Sequence, residues 1–358
     1  MIAAKHLQLI LAIDELGSLS RASQKLNLTQ SALSHQLKKL EEQLDLLLFH
    51  RIDNQLFFTE AGKALRDSAK SILEKHENLE QRLKALKKSQ LFKYIHGYSP
   101  SETQRLLDQA TSVADFIHYD SVWPEGTRVL EVGCGVGAQT EIITRKNPQV
   151  NFVSIDLSEH SLNIAKEKME KLGISNVQFR QQDARTINTK DFGKFDHLFI
   201  CFLLEHLNNP MEVLQQLKGL LKKGGSITVI EGDHGSTFFY PDNHYARKVV
   251  QAQVDLQKKR GGNANIGREL FPLLTKAGYQ VQEVSPRQIY VDASKPNLVK
   301  GFIKNTFTAM IQGMSEDIIA EKVLSSAEVQ LGIKGLLDTA DLGGTFSYTF
   351  FKAKAKLS

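Results

Sequence analysis

The fold of the larger part of this chain is decided by one stretch, Val129-Leu130-Glu131-Val132-Gly133-Cys134-Gly135-Val136-Gly137. An apolar strand runs into a loop with glycine at every second position, and a helix is predicted from about Gln139. Glycines at such a turn let the backbone bend sharply and approach a bound ligand closely. Because dinucleotide-binding domains also use glycine-rich loops, the loop alone leaves the ligand open, and the surrounding sequence has to decide.

The strands predicted after this loop end in residues suited to a nucleoside cofactor. The spacing is Gly-x-Gly-x-Gly and not the Gly-x-Gly-x-x-Gly of dinucleotide-binding domains. The next strand, Asn151–Ile155, ends in Asp156, whose carboxylate is placed to accept both ribose hydroxyls. A third strand, Val177–Arg180, leads to Asp183, which suits an adenine amino group. Further strands are predicted at Phe195–Phe202, at Ser226–Glu231, and at Tyr279–Val284 and Thr345–Phe351, the last two as an antiparallel hairpin. Strands alternating with amphipathic helices predict a parallel α/β domain.

This ordered set resembles the class I S-adenosylmethionine (SAM)-dependent methyltransferases, specifically the group similar to ubiquinone/menaquinone-biosynthesis enzymes, over roughly residues 92–358. The resemblance is carried by Glu131–Gly137, Asp156, Asp183-Ala184, Phe195-Asp196 and Leu221–Gly225. It implies a Rossmann-like fold in which glycines cradle the methionine part of SAM, Asp156 holds the ribose, and Asp183 and Ala184 hold the adenine. It also implies an upstream helix that covers the cofactor. The expected cofactor contacts are Tyr98, Arg105, Glu131, Gly133, Cys134, Gly135, Gly137, Asp156, Leu157, Asp183, Ala184 and Cys201.

The sequence is less informative about the methyl acceptor. His234 is the candidate catalytic base, although a structural hydrogen bond is an alternative role for this side chain. Other pocket candidates are His118 and Tyr119 before the first predicted strand, and Glu231, Asp233 and Tyr240 after the fifth. The segments Phe238–Arg268 and Val291–Ser326 are expected to form a substrate lid, and their aromatic residues favour a small, partly apolar substrate. The motifs of DNA methyltransferases are missing after the fourth strand, so a small-molecule acceptor is favoured over DNA.

Residues 1–58 predict a different kind of module. Helices are expected over Lys5–Leu16 and Leu19–Leu26, and a third begins after the capping residue Thr29 and continues to about Leu44. The segments Leu48-Phe49 and Leu56–Phe58 then flank a polar stretch, as in a hairpin wing. On the third helix, Ala32, Leu33, Leu37 and Leu40 are expected to face inward. The residues expected to contact DNA are Gln30, Ser31, Ser34, His35, Lys38 and, in the wing, Arg51.

This module resembles the winged helix-turn-helix of LysR-type transcriptional regulators over residues 1 to about 90. The resemblance is carried by Gly17-Ser18, Arg21–Ser23, Leu28–Gln36, Leu40-Glu41, Leu48–Arg51 and Phe58–Gly62, and Gln30–Gln36 is most similar to the methionine-biosynthesis regulators of that family. Ser31 and His35 depart from the common pattern, in which Pro and Arg are frequent, so the resemblance implies no particular DNA sequence. The periplasmic-binding-like effector domain of the family is missing.

A single long helix is predicted over residues 59–90, between the two modules. Its apolar positions recur at spacings of 3 and 4 residues, which predicts a two-stranded seam. The seam residues are Leu65, Ala69, Ile72, His76, Leu79, Leu83 and Leu86. We therefore expect a homodimer through this helix, with packing on its own chain as the alternative. His76 on the seam is expected to be structural, although a pH-sensitive interface is conceivable.

Composition bounds the function classes. The 358 residues are 41% hydrophobic and 24% charged, with a net charge of +5 and only two cysteines, Cys134 and Cys201. No disulfide scaffold, metal site, signal peptide or membrane span is predicted, which favours a cytoplasmic protein. The expected domains are 1–58, 59–90 and 91–358. Three functions fit: a methyltransferase that also regulates transcription, a transcription factor that only senses SAM or S-adenosylhomocysteine, and an enzyme whose first module merely dimerises.

Overall fold

The structure is a computed structural model that describes residues 2–52, 55–90, 99–341 and 343–357. The chain divides into two compact units, residues 1–93 and 94–358. The first unit holds the predicted winged helix-turn-helix, and the second holds the predicted α/β fold.

The first unit contains four helices and a two-stranded antiparallel wing. Thr29 caps the third helix by accepting a hydrogen bond from the Ala32 amide at 3.2 Å, as the sequence predicts. Leu33, Leu37 and Leu40 are buried in the unit's core, whereas Ala32 is only half-buried. The elements are α1 Ala4–Leu16, α2 Leu19–Lys25, α3 Gln30–Leu44, β1 Phe49–Ile52, β2 Gln55–Phe58 and α4 Glu60–Gln90.

The helix α4 carries the predicted seam, and its two ends differ in environment. Ala69 is fully buried and Leu65 packs against the core of the first unit, so this part of the seam is covered by its own chain. Ile72 and Leu79 are 47% and 53% exposed. The side chains of Leu83 and Leu86 lie outside the described residues. The described residues of the first unit therefore leave the apolar seam largely exposed at Ile72 and Leu79.

The second unit is built on a seven-stranded sheet with the order β5-β4-β3-β6-β7-β9-β8. The strands β3 to β7 pair in parallel, and β9 pairs antiparallel with both β7 and β8. The bounds are β3 Arg128–Val132, β4 Asn151–Asp156, β5 Val177–Gln181, β6 Phe195–Cys201, β7 Leu221–Tyr240, β8 Tyr279–Asp292 and β9 Thr345–Leu357. The chain order reverses between β3 and β6, which is where open α/β sheets bind ligands.

Ten α-helices and one π-helix of the described chain accompany this sheet. The α-helices are α5 Pro100–Ile117, α6 Ala138–Lys146, α7 Glu159–Lys171, α8 Pro210–Lys218, α9 His244–Lys259, α10 Leu270–Lys276, α11 Pro296–Leu298, α12 Ala309–Gly313, α13 Ser315–Ala320 and α14 Ser326–Asp338. The π-helix spans Val299–Thr308. Because π-helical geometry is frequent at functional sites, this segment is a candidate for part of the site.

The antiparallel end of the sheet is more extensive than the sequence predicts. The strands β8 and β9 do pair as an antiparallel hairpin, but β8 continues to Asp292, β9 continues to Leu357, and β7 continues to Tyr240. Strand alternation is obscured there because polar residues of these strands, such as Lys352, are themselves buried. Part of the segment predicted as a lid, Phe238–Arg268, therefore belongs to the sheet.

Candidate functional site

The glycine loop after β3 takes the conformation that its sequence requires. Gly133, Gly135 and Gly137 all have positive φ, of 80°, 52° and 74°. A Cβ at Gly137 would lie 2.9 Å from the Cβ of Ala165 in α7, so this glycine permits close packing of loop and helix. Among the described residues, a Cβ at Gly135 would have no neighbour within 4 Å. Gly135 therefore borders open space, as expected where a ligand comes close to the backbone.

Two carboxylates stand beside this loop. Asp156, at the end of β4, accepts hydrogen bonds from the amides of Gly135 and Ser158, each at 2.8 Å. Glu131, in β3, accepts hydrogen bonds from the Ser154 and Thr140 hydroxyls at 2.6 and 2.7 Å. Burial raises the pKa of Asp156 and raises that of Glu131 to about 7. The Glu131 carboxyl thus links β3 to β4 and α6 through its hydrogen bonds, whereas Asp156 lies at the edge of the glycine loop.

The predicted adenine contacts lie at the tip of the next strand. Asp183 caps the turn after β5 and is held by the Arg185 side chain, with the Nη2 to Oδ2 distance 2.7 Å. Ala184 is buried and Leu157 is half-buried. Arg185 is a neighbour that was not predicted from the sequence. Tyr98 lies outside the described residues.

Both cysteines are free and buried at the tips of the adjacent strands β3 and β6. Burial, together with neighbouring carboxylates, raises the pKa of both thiols well above its usual value. Because the thiolate is the reactive form of cysteine, the raised pKa keeps both side chains as unreactive thiols. Their environment favours the interpretation that they are small residues filling a tight site over that of a redox switch.

A cavity of about 60 Å³ opens beside the tip of β6. One part of its wall is aromatic or apolar, with Phe302, Phe307, Met310, Tyr348 and Phe350 from the π-helix, α12 and β9. The other part is polar and is lined by Arg105, Gln109, Glu205, His206, His234 and Thr306. Of these lining residues, Arg105 and His234 were predicted individually from the sequence, and Gln109, Thr306 and Met310 lie within segments that were predicted to cover the cofactor or the substrate. Phe302 and Phe307 belong to the predicted lid segment Val291–Ser326.

The centre of the polar wall is the buried carboxylate of Glu205. Its Oε2 lies 3.8 Å from His234 Nε2, and its Oε1 lies 3.6 Å from His206 Nε2. The Nδ1 atom of His234 has no hydrogen-bond partner among the described residues. Burial lowers the pKa of His234 to about 4, although Glu205 opposes this shift. The His234 ring is therefore neutral at pH 7, and the nearby carboxylate favours the tautomer with its proton on Nε2 and a lone pair on Nδ1.

Arg105 reaches the same cavity from α5. Its guanidinium donates to both carboxylate oxygens of Glu102, at 2.7 and 2.8 Å, and to Gln109 Oε1 at 3.0 Å. Both members of the ion pair are less than 10% exposed. The structure thus brings Arg105, predicted as a cofactor contact, together with His234, predicted as a base. Glu102, Glu205 and His206 were missed because they meet only through the folding of α5 over the tip of β6.

The other predicted pocket residues do not line this cavity. His118 is buried, and its Nε2 is 2.7 Å from Gln139 Oε1. Asp233 is bound by the Arg268 guanidinium at 2.6 and 2.9 Å. Tyr119 and Tyr240 are exposed. Glu231 accepts hydrogen bonds from the amides of Leu203 and Leu204 and supports the turn after β6; burial and the nearby Glu205 raise its pKa.

The candidate DNA-binding residues lie on the outer face of α3. Gln30, Ser31, His35 and Lys38 are exposed, and Ser34 is half-buried. A surface groove of about 440 Å³ between α3 and the wing is lined by Ser34, His35, Leu37, Lys38, Glu41, Leu47, Phe49 and Leu56. Glu41 joins the two elements, because its Oε1 accepts hydrogen bonds from the amides of Leu48 and Phe49. Arg51 lies in β1, but its side chain is outside the described residues.

Membrane-spanning helices and metal clusters are both missing from the part of the chain that the structure describes. Within it, no helix is long and apolar enough to cross a membrane. Over the same residues, no group of three or more His, Cys, Asp or Glu side chains is placed to hold a metal ion.

Comparison with known proteins identifies two domains in the sequence. A family model described as a bacterial regulatory helix-turn-helix protein of the lysR family matches residues 4–63. A second family model, described as a methyltransferase domain, matches residues 124–278.

Individual relatives divide along the same line. The HTH-type transcriptional regulator MetR of Haemophilus influenzae is 46% identical over 83 residues, which is 23% of this chain and 27% of that protein. The ubiquinone biosynthesis O-methyltransferase of Dechloromonas aromatica is 28% identical over 198 residues, which is 55% of this chain and 76% of that enzyme. The chain therefore spans only about a quarter of its regulator relative.

Among solved structures, the YcgJ protein from Bacillus subtilis aligns with 69% of this chain and 98% of its own, at 15% identity and a TM-score of 0.44. The family models and the seven-stranded sheet confirm the predicted fold class and both resemblances. Residues 4–63 are a lysR-type helix-turn-helix domain, residues 124–278 are a methyltransferase domain, and this chain joins the two.

Proposed function

We propose that this chain is a SAM-dependent methyltransferase for a small molecule, joined to a module that binds double-stranded DNA. The observation that carries the enzymatic half is the buried Glu205–His234 pair in a cavity at the tip of β6. The strand β6 is the neighbour of β3, whose glycine loop is the candidate cofactor site. A proton acceptor thus lies at the same edge of the sheet as the cofactor loop.

The residues around the glycine loop fit SAM. Gly135 faces open space, Asp156 offers a carboxylate at the loop's edge, and Asp183 with Ala184 stands at the next strand tip. When bound, SAM supplies a methyl group on a sulfonium, whose leaving group is already activated. The protein has to orient the acceptor and exclude water, and the largely buried cavity suits both tasks.

His234 is the proposed base for an acceptor that carries a proton. Its neutral ring has a lone pair on Nδ1, and Glu205 stabilises the positive charge that develops when the ring takes up a proton. A base held in this way contributes about 100-fold or more to the rate.

The test is turnover of labelled SAM with a pool of small metabolites. The wild-type chain is expected to transfer the label to a small molecule, and His234→Ala is expected to lower the rate about 100-fold. The matched control is His160→Ala, which removes an exposed histidine on α7. SAM binding without any transfer would contradict the enzymatic proposal and favour a transcription factor that only senses the cofactor.

The DNA-binding half is proposed from the exposed face of α3 and the lysR-type domain. A gel-shift or fluorescence assay with genomic fragments is expected to show binding that weakens steeply with salt, because phosphate contacts release counterions. Lack of binding even at low salt would leave the module as a dimerising unit only.

We also propose a homodimer through α4, supported by the exposed apolar residues Ile72 and Leu79, and a cytoplasmic location, supported by two reduced, buried thiols.

A further inference from the structure

We infer that the acceptor in the cavity at the tip of β6 is a small primary or secondary amine that binds as its ammonium ion. The inference rests on the proposed function and names the substrate class of the same site. It follows from which hydrogen-bonding groups of the cavity are already used and which remain available.

The strongest donor in the cavity is already engaged. The guanidinium of Arg105 donates from Nε and Nη2 to Glu102 and from Nη1 to Gln109. Its charge is balanced by the Glu102 carboxylate. An anionic substrate, such as a carboxylate or a phosphate ester, would therefore have to displace a buried ion pair in order to bind, which is costly.

The groups that remain available are acceptors. His234 is 6% exposed, lines the cavity, and leaves Nδ1 without a partner among the described residues. Among the described residues, the polar contacts of the Glu205 carboxylate are all long: Gln257 Nε2 at 3.4 Å, His206 Nε2 at 3.6 Å and His234 Nε2 at 3.8 Å. Good charge-assisted hydrogen bonds to a carboxylate are about 2.7–2.9 Å long. A buried carboxylate with only such long contacts is under-compensated, so burial raises the pKa of Glu205, and a ligand cation would favour its charged form.

The aromatic part of the lining suits a cation as well, and it adjoins His234, whose ring centroid is 5.5 Å from that of Tyr348. The ring centroids of Phe307 and Tyr348 are 5.7 Å apart, those of Tyr348 and Phe350 are 4.8 Å apart, and all three side chains line the cavity. Aromatic faces attract ammonium groups, most strongly where water is excluded. A cavity of about 60 Å³ admits the amine head group and a few atoms beyond it. A carboxylate and aromatic rings that line the same small cavity therefore select a compact cation.

Methylation of a bound ammonium ion requires only SAM as the methyl donor and His234 as the proton acceptor. The bound ammonium gives one proton to His234 Nδ1, which frees the nitrogen lone pair. The new nitrogen–carbon bond forms as the methyl–sulfur bond breaks, and the electron pair of the broken bond stays on sulfur to give S-adenosylhomocysteine. The methylated product leaves as an ammonium ion, and the proton on His234 passes to solvent when the cavity opens.

The test compares three nearly isosteric probes on the full chain: butylamine, 1-butanol and butyrate. Binding is measured by calorimetry in the presence of S-adenosylhomocysteine, and turnover is measured separately with SAM. Butylamine is expected to bind and to be methylated, butanol to bind at least about tenfold more weakly, and butyrate not to bind.

Variants test whether the Glu205 carboxylate and the aromatic rings cause the preference for an amine over an alcohol. Glu205→Gln keeps the size of the side chain and is expected to weaken butylamine binding about 10- to 100-fold without changing butanol binding. Phe307→Leu is expected to weaken butylamine binding several-fold, again without an effect on butanol. Glu283→Gln, which changes an exposed residue of β8, is the control. Retained binding of S-adenosylhomocysteine shows that each variant is folded.

The possible failures are distinguishable. Equal binding of butanol and butylamine, binding of butyrate, or no binding of any amine overturns the amine assignment. An equal effect of Glu205→Gln on amine and alcohol also overturns it. If the wild-type chain does not bind S-adenosylhomocysteine, the proposed methyltransferase function fails first.

Discussion

A single methyl group added at Gly135 separates the role of the glycine loop in folding from its role in cofactor binding. Gly135 has a φ of 52°, and a Cβ there would meet no atom of the described residues within 4 Å. Gly135→Ala therefore destabilises the fold only through the left-handed backbone conformation that alanine has to adopt, and the added methyl group clashes with no described residue. That cost is about 1 kcal/mol, after allowance for the lower conformational entropy of an unfolded chain with alanine.

The matched control is Gly224→Ala near the start of β7. Gly224 has a φ of 75°, and a Cβ added there would likewise have no neighbour within 4 Å, so its backbone cost is similar. Since β6 and β7 run parallel from Phe195 and Leu221, Gly224 lies at the amino edge of the sheet, opposite the glycine loop. Both variants are expected to lower the melting temperature by a similar amount, about 2–4 °C.

The two variants are expected to differ in cofactor binding. The new methyl group at Gly135 occupies the open space where the cofactor is proposed to lie, so the ligand can no longer approach the backbone closely. Calorimetry is therefore expected to show an affinity for S-adenosylhomocysteine at least about tenfold weaker, a difference of about 1.4 kcal/mol. Gly224→Ala is expected to bind like the wild type. Wild-type affinity in Gly135→Ala would refute the placement of the cofactor at this loop, and weakened binding in Gly224→Ala would refute the choice of control.

Three further predictions concern other parts of the chain. Because burial raises the pKa of Glu131 to about 7, stability should fall as pH rises from about 4.5 to about 7, and urea unfolding of Glu131→Gln should show a weaker dependence over that range. Lys38→Gln should weaken DNA binding uniformly across sequences and reduce the salt slope by about 1; an unchanged slope would remove Lys38 from the phosphate contacts. Ile72→Glu combined with Leu79→Glu should convert a dimer to a monomer in light scattering, and a persistent dimer would contradict the seam on α4.

The sequence by itself was enough for the fold class and for the two domains. The alternating glycines of residues 133–137 are informative because only glycine takes up left-handed backbone at this turn without strain. Likewise, Thr29 and the apolar spacing of α3 predict a capped helix with one buried face. These signals are local, so they can be read without knowing the rest of the structure. The residues proposed to bind the cofactor and DNA remain predictions.

Only the tertiary structure brought the polar groups of the cavity together. Glu102 and Arg105 lie on α5, Glu205 and His206 follow β6, and His234 lies in β7. No spacing along the chain relates these residues, because only the tertiary fold brings α5 to the tip of β6. Burial then determined their chemistry: it made His234 neutral and left Glu205 with long contacts. A sequence specifies which groups are present, but exclusion of water by distant segments decides which of them remain available to a ligand.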